Sequence, residues 1–170
     1  ADEAQKNFTE MLQKAGIEEL YKYSLVVIVP AVFIMFSFAD LLLLVLYGNA
    51  YVDGAIPLRI LSIGMIFAML YSINGMVFAG IGEPKINSKM VFFAAIFNLA
   101  GNIILIPILG INGAAIATTG SYLIMMLYGL AKIRGFVNVG FPWANWIKNV
   151  IAGLALAGLG FFLKKIFFQR

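Results

Sequence analysis

The chain has 170 residues, of which 62% are apolar and 12% charged, and its mean hydropathy is +0.96. Soluble domains are about half apolar and about a quarter charged, so this composition excludes one and predicts an integral membrane protein. The sequence contains no Cys and no His, which removes thiolate chemistry, the usual general base and the commonest metal ligand. We therefore expect no enzyme activity, no metal site and no cofactor. The net charge of +4 lies mostly between apolar stretches, where it relates to topology, so no nucleic-acid partner is expected.

A polar segment, residues 1–19, precedes the first apolar stretch. Phe8, Met11 and Leu12 fall near helical spacing, which predicts an amphipathic cytoplasmic helix that runs into the membrane. A signal peptide would need an early apolar core after a basic start, and this segment lacks one. Because a long polar segment leads directly into a span and the sequence has no initiator Met, we expect it to be a piece of a longer protein.

Five apolar stretches approach the length of about 20 helical residues that a bilayer core requires. They predict an all-α polytopic helix bundle within residues 20–170, with spans at about 20–39, 55–79, 90–109, 111–131 and 147–163. Pro30 is expected to kink the first span, and Asp40 to end it because a carboxylate is costly in hydrocarbon. Residues 41–47 are too short to cross alone.

The basic residues of the connections predict which side each one faces. Lys85, Lys89, Lys132 and Arg134 fall on the same side as the first segment, and the positive-inside rule makes that side cytoplasmic. The positive charges after the fifth span do not fit this alternation, since five crossings would leave them outside. Either a sixth span follows or the last stretch does not fully cross, and the sequence leaves both open.

Small residues dominate the start of the fourth span. Gly113, Ala117 and Gly120 recur at spacings of three and four, which predicts a close helix–helix contact, because small side chains let backbones approach in a membrane. This face is either simple packing or a pivot between helices that move.

Three polar side chains within the spans are candidates for substrate binding. Arg59 lies about one turn inside the second span; it could bind a phosphate in bidentate fashion or pair with Asp53 or Asp40 near the outer surface. Asn98 and Asn102 lie four residues apart on one helix face, where they could line a cavity for sugars or join helices by hydrogen bonds.

Four segments in order resemble a known family. Residues 51–64, YVDGAIPLRILSIG, are followed by residues 79–85, AGIGEPK, then by residues 98–106, and then by residues 107–118, PILGINGAAIAT. This order resembles the C-terminal half of polysaccharide-biosynthesis membrane proteins, the O-antigen and exopolysaccharide repeat-unit flippases, which are related to the multidrug and toxic-compound extrusion exporters.

The resemblance implies two six-helix lobes that alternate between inward- and outward-open states, of which this chain would be most of the C-terminal one. It implies a multi-pass protein of the plasma or inner membrane that passes a lipid-linked oligosaccharide on an undecaprenyl- or dolichyl-type carrier to the outer leaflet. Its partners would be membrane lipid and the missing N-terminal lobe. A cation-coupled multidrug antiporter of the same superfamily and a non-transporting membrane scaffold are the alternatives.

Overall fold

The computed structural model describes the backbone of residues 2–136 and of positions 147, 148, 151–153, 155 and 158, with side chains described from residue 15 onward. Five α-helices and one short 3₁₀ helix follow one another in the continuous part, and no strand occurs among the described residues. The helices are α1 (Asp2–Ser37), α2 (Ala39–Tyr47), α3 (Ala55–Gly80), α4 (Pro84–Leu109) and α5 (Ile111–Ile133), and the 3₁₀ helix is Asn49–Gly54.

Four segments of this part are long and apolar enough to cross a membrane: Ala15–Ser37, Asn49–Gly80, Pro84–Leu109 and Ile111–Ile133. The chain is therefore an all-α, polytopic membrane helix bundle, as its composition predicts. The fifth predicted span, 147–163, falls mostly outside the described residues.

The ends of the helices are set by local residue chemistry more than by the limits of the apolar stretches. α4 begins at Pro84, before the first residue of the predicted span, Met90. Proline suits a first helical turn because its missing N–H needs no partner there, and Lys85 and Lys89 extend the helix beyond its apolar part. α1 joins the polar first segment to the first span as one helix that continues through Pro30.

α3 and α5 form the most extensive helix–helix contact of the described bundle. α5 packs next most extensively against α4, while α1 packs against α3. α3 and α5 run parallel: Gly64 lies against Thr119, and ten residues further along both helices Asn74 lies against Gly129. The contact therefore keeps one register over about 15 Å of helix.

Three small residues in the first half of α5, namely Gly113, Ala117 and Gly120, face α4. A Cβ added to Gly101 of α4 would lie 2.9 Å from Cβ of Ala117, and one added to Gly120 would lie 3.1 Å from the ring of Phe97. A Cβ on Gly113 would meet the carbonyl oxygen of Leu105. These contacts confirm the predicted close helix–helix face and identify its partner.

Candidate functional site

Three hydrogen-bonded polar side chains, which we call the amide–hydroxyl chain, join α4 to α5 near the middle of both helices. Nδ2 of Asn102 donates to Oδ1 of Asn98 at 2.9 Å, and Nδ2 of Asn98 donates to Oγ1 of Thr118 at 3.3 Å. The spacing of four places both amides on one face of α4, as predicted. Oδ1 of Asn102 is buried and has no hydrogen-bond partner among the described residues. The amide–hydroxyl chain therefore retains an unused acceptor at one end.

Asn98 and Thr118 border an open groove between the two helices, which we call the α4–α5 groove. Its volume is about 270 Å³. The lining residues are Val91, Ala94, Ala95, Asn98, Thr118, Ser121, Tyr122 and Met125. Four of these side chains are polar and none is charged, so the groove combines a mostly apolar wall with a few amide and hydroxyl groups.

α4 exposes two chemically different faces outside its contact with α5. The spacing of Val91, Ala95, Asn98 and Asn102 places small and polar side chains on the groove side. The other face carries exposed large apolar residues, namely Phe92 (62%), Ile96 (51%) and Ile103 (66%). Large apolar residues suit lipid, whereas amides within a membrane face a protein interior or a water-filled cavity. The groove side is therefore the functional candidate.

Arg59 lies apart from the groove and binds the junction of α1 and α2. Its Nε donates to the carbonyl oxygen of Phe36 at 3.1 Å, and its Nη2 lies 3.4 Å from Oδ1 of Asp40. About a quarter of each charged side chain is exposed, 26% for Arg59 and 27% for Asp40. The structure thus brings Asn98 and Asn102 together but does not bring Arg59 to them. Of the two acidic partners considered for Arg59, the structure shows Asp40.

A second polar network is fully buried and joins three helices. The hydroxyl of Tyr21 in α1 donates to Oδ1 of Asn74 in α3, and Nδ2 of Asn74 donates to the carbonyl oxygen of Met126 in α5 at 3.1 Å. The sequence analysis did not single out Tyr21. A tyrosine at the polar start of the first span was the available signal, since buried Tyr hydroxyls usually find a partner, but its partner could not be predicted from spacing.

The described residues contain no cluster of three His, Cys, Asp or Glu side chains that could hold a metal ion. The side-chain hydrogen bonds between the described helices use amides, hydroxyls and backbone carbonyls, together with the Arg59–Asp40 pair. An all-α bundle of membrane-length helices, with amides and hydroxyls on one groove between two of them, defines a multi-pass membrane protein.

Comparison with known proteins identifies the family. The sequence matches the family described as lipid II flippase MurJ over residues 2–170. It is 34% identical over 139 residues to an uncharacterized membrane protein, MJ1068, of Methanocaldococcus jannaschii. That match covers 82% of this chain and 27% of MJ1068. It is 25% identical over 143 residues to a probable low-salt glycan biosynthesis flippase, Agl15, of Haloferax volcanii, with 84% of this chain and 30% of that protein covered. No solved structure matches the chain.

The chain therefore belongs to the lipid II flippase MurJ family. It spans between 27% and 30% of the length of the curated relatives it matches.

Proposed function

We propose that these helices form part of a transporter that flips a lipid-linked oligosaccharide or polysaccharide repeat unit from the cytoplasmic to the outer leaflet of the cell membrane. Support comes from the family match over residues 2–170 and from the relative named as a probable glycan biosynthesis flippase. Members of a flippase family are transporters rather than enzymes. The undecaprenyl or dolichyl type of the carrier and a second, N-terminal lobe are parts of the same proposal.

One observation in the structure carries this proposal: the amide–hydroxyl chain of Asn102, Asn98 and Thr118 borders an open groove at membrane depth. Hydrocarbon cannot satisfy such groups, whereas the hydroxyls of a sugar both donate and accept hydrogen bonds. A lipid carrier can keep its apolar tail in the bilayer while its saccharide passes polar side chains of this kind. We propose Asn98 and Asn102 as saccharide contacts.

Arg59 is the candidate for the phosphate of the carrier. Its guanidinium is only partly exposed and already interacts with Asp40 and with the carbonyl of Phe36. A phosphate would have to share or displace the single 3.4 Å contact with Asp40, which is longer than a charge-assisted hydrogen bond of about 2.8 Å. In this proposal the Asp40 carboxylate holds Arg59 until an anion competes for it.

The test uses cells that depend on the natural full-length protein for surface glycan. Asn98→Leu removes both the donor and the acceptor of the amide while keeping a similar volume, and we expect it to lower surface glycan about tenfold at unchanged membrane abundance. Ser72→Ala is the matched control, because Ser72 is an exposed polar residue of α3 that bonds only to the carbonyl oxygen of Ala68. Normal surface glycan with Asn98→Leu would remove Asn98 from the transport path.

A further inference from the structure

α4 differs from α3 and α5 in how it is held. Only Met90 and Ala94 of α4 are buried, whereas α3 and α5 bury nine and eight residues respectively. α4 also has few contacts with α3 compared with its contacts to α5. Its position in the described bundle therefore depends mainly on one neighbour, α5.

The α3–α5 contact is fastened at two points by hydrogen bonds from side chains to backbone carbonyls. Oγ1 of Thr119 donates to the carbonyl oxygen of Ile60 at 3.1 Å, and Nδ2 of Asn74 donates to that of Met126 at 3.1 Å. These bonds lie at the two ends of the shared register. Any sliding of α3 along α5 would break both and leave buried polar groups without partners, which is costly in a membrane.

The α4–α5 contact is built differently. Gly101, Ala117 and Gly120 give it a surface with few protruding side chains. Among the described residues, one side-chain hydrogen bond joins the two helices, from Asn98 to Thr118 at 3.3 Å. Small residues allow close backbones through dispersion contacts alone. Movement of α4 against α5 would therefore break one side-chain hydrogen bond between the helices, whereas movement of α3 against α5 would break two.

The turns at both ends of α4 contain a glycine with positive φ. Gly82, before α4, has φ +80°, and Gly110, after it, has φ +58°. These are the conformations that side chains other than glycine rarely adopt, and glycine can leave them at little steric cost. Each end of α4 is thus joined to its neighbour by a point at which the backbone can rotate.

We propose that α4 moves against α5 during transport, while α1, α3 and α5 move as one unit held by Tyr21, Asn74 and Thr119. The movement opens and closes the α4–α5 groove, because α4 supplies one wall of that groove and α5 the other. This inference rests on the proposed transport function for its role, but the movement itself can be measured without transport.

Two engineered disulfides at nearly the same height on α5 test the inference in the natural full-length protein, with any native cysteines elsewhere replaced. Gly101→Cys with Ala117→Cys links α4 to α5, and Gly64→Cys with Thr119→Cys links α3 to α5. An added Cβ at Gly101 lies 2.9 Å from Cβ of Ala117, and one at Gly64 lies 3.3 Å from Cβ of Thr119. Both Cβ–Cβ separations lie within about 1 Å of the usual disulfide value of about 3.8 Å.

We expect oxidation of the α4–α5 pair to lower glycan flipping in proteoliposomes about tenfold, with recovery on reduction. Oxidation of the α3–α5 pair should leave flipping within about twofold of its reduced value. Retained flipping with α4 locked, or equal loss with both locks, would overturn the inference. Recovery on reduction shows that the α4–α5 variant is folded, and retained flipping shows the same for the α3–α5 variant, so misfolding cannot imitate the result.

Spin labels test the movement independently of transport. Exposed positions Ile103 on α4, Leu127 on α5 and Met65 on α3 can each carry a label. We expect two or more distances between labels at 103 and 127, and one narrow distance between labels at 65 and 127. One narrow distance for both pairs would overturn the movement. Absence of flipping by the wild-type protein would instead overturn the proposed function, so the two failures are distinguishable.

Discussion

Tyr21 and Asn74 form a hydrogen bond between α1 and α3, and both side chains are completely buried. Because Asn74 also donates to the carbonyl oxygen of Met126, one amide holds three helices together. In a membrane, burial of more apolar surface gives no driving force for helix association. Such a bond therefore contributes to holding the bundle in one arrangement.

Tyr21→Phe should destabilise the protein, because it leaves Oδ1 of Asn74 buried without its donor. Hydrogen bonds between membrane helices contribute between about 0.6 and 1.7 kcal/mol, and we expect a loss in that range. The measurement is thermal unfolding of the purified full-length protein in detergent. Tyr23→Phe is the control, because Tyr23 is 59% exposed. Equal unfolding temperatures for the two variants would contradict the role of Tyr21.

Gly129→Ala should also destabilise the bundle, through steric overlap rather than through a lost bond. A Cβ at residue 129 would collide with the side-chain amide of Asn74, which cannot withdraw without breaking its bond to Met126. We expect a cost of about 1–3 kcal/mol, the usual range for an overpacked core. Gly16→Ala is the control, since nothing lies within 4 Å of the added Cβ and alanine favours helix. An unchanged unfolding temperature for Gly129→Ala would contradict the described α3–α5 contact.

The Arg59–Asp40 pair allows separate predictions for the stability of the protein and for transport. Arg59→Gln and Asp40→Asn each remove the ion pair, and we expect the pair to contribute at most about 1 kcal/mol because it is partly exposed. In the double variant the loss should be smaller than the sum of the two single losses, because the ion pair is common to both.

Export should separate the two residues if Arg59 also contacts the carrier phosphate. We expect Arg59→Gln to lower surface glycan several-fold, by roughly 1 kcal/mol or more of transition-state stabilisation, with membrane abundance unchanged. Asp40→Asn should retain export. Equal export by both variants would leave Arg59 as a structural anchor between α3 and the α1–α2 junction.

The alternation of spans predicts the side of each connection. A cysteine at Glu83, in the turn between α3 and α4, should react with a membrane-impermeant maleimide only from the cytoplasmic side. A cysteine at Asn49, after α2, should react only from outside. The full-length protein in intact cells and in inverted vesicles provides both sides, and labelling of both positions from one side would contradict the topology.

The helices of the bundle could be predicted from the sequence. Apolar stretches of membrane length leave few alternatives to helices, and prolines and glycines mark their ends. The spacing of Asn98 and Asn102 likewise placed both amides on one face. Spacing could show that Gly113, Ala117 and Gly120 share a face, but not that α4 covers it. Thr118 as the partner of Asn98 was not foreseen, because it depends on which helices are neighbours.

Tyr21 and Asn74 illustrate the same limit more strongly. They are distant in sequence, and their contact exists only because α1 packs against α3 at one particular height. Arg59 shows the converse: its charge and its position near the start of a span restricted its partners to two acidic residues, and the fold selected Asp40.

The most direct test of the account is flipping by the natural full-length protein reconstituted into liposomes. The substrate is the lipid-linked oligosaccharide extracted from cells in which the protein is depleted, and a cationic dye serves as the comparison. We predict that the protein transfers the lipid-linked oligosaccharide across the bilayer, that Asn98→Leu slows this transfer about tenfold, and that the dye is not transported. Dye transport without transfer of the oligosaccharide would contradict the account and favour a multidrug exporter.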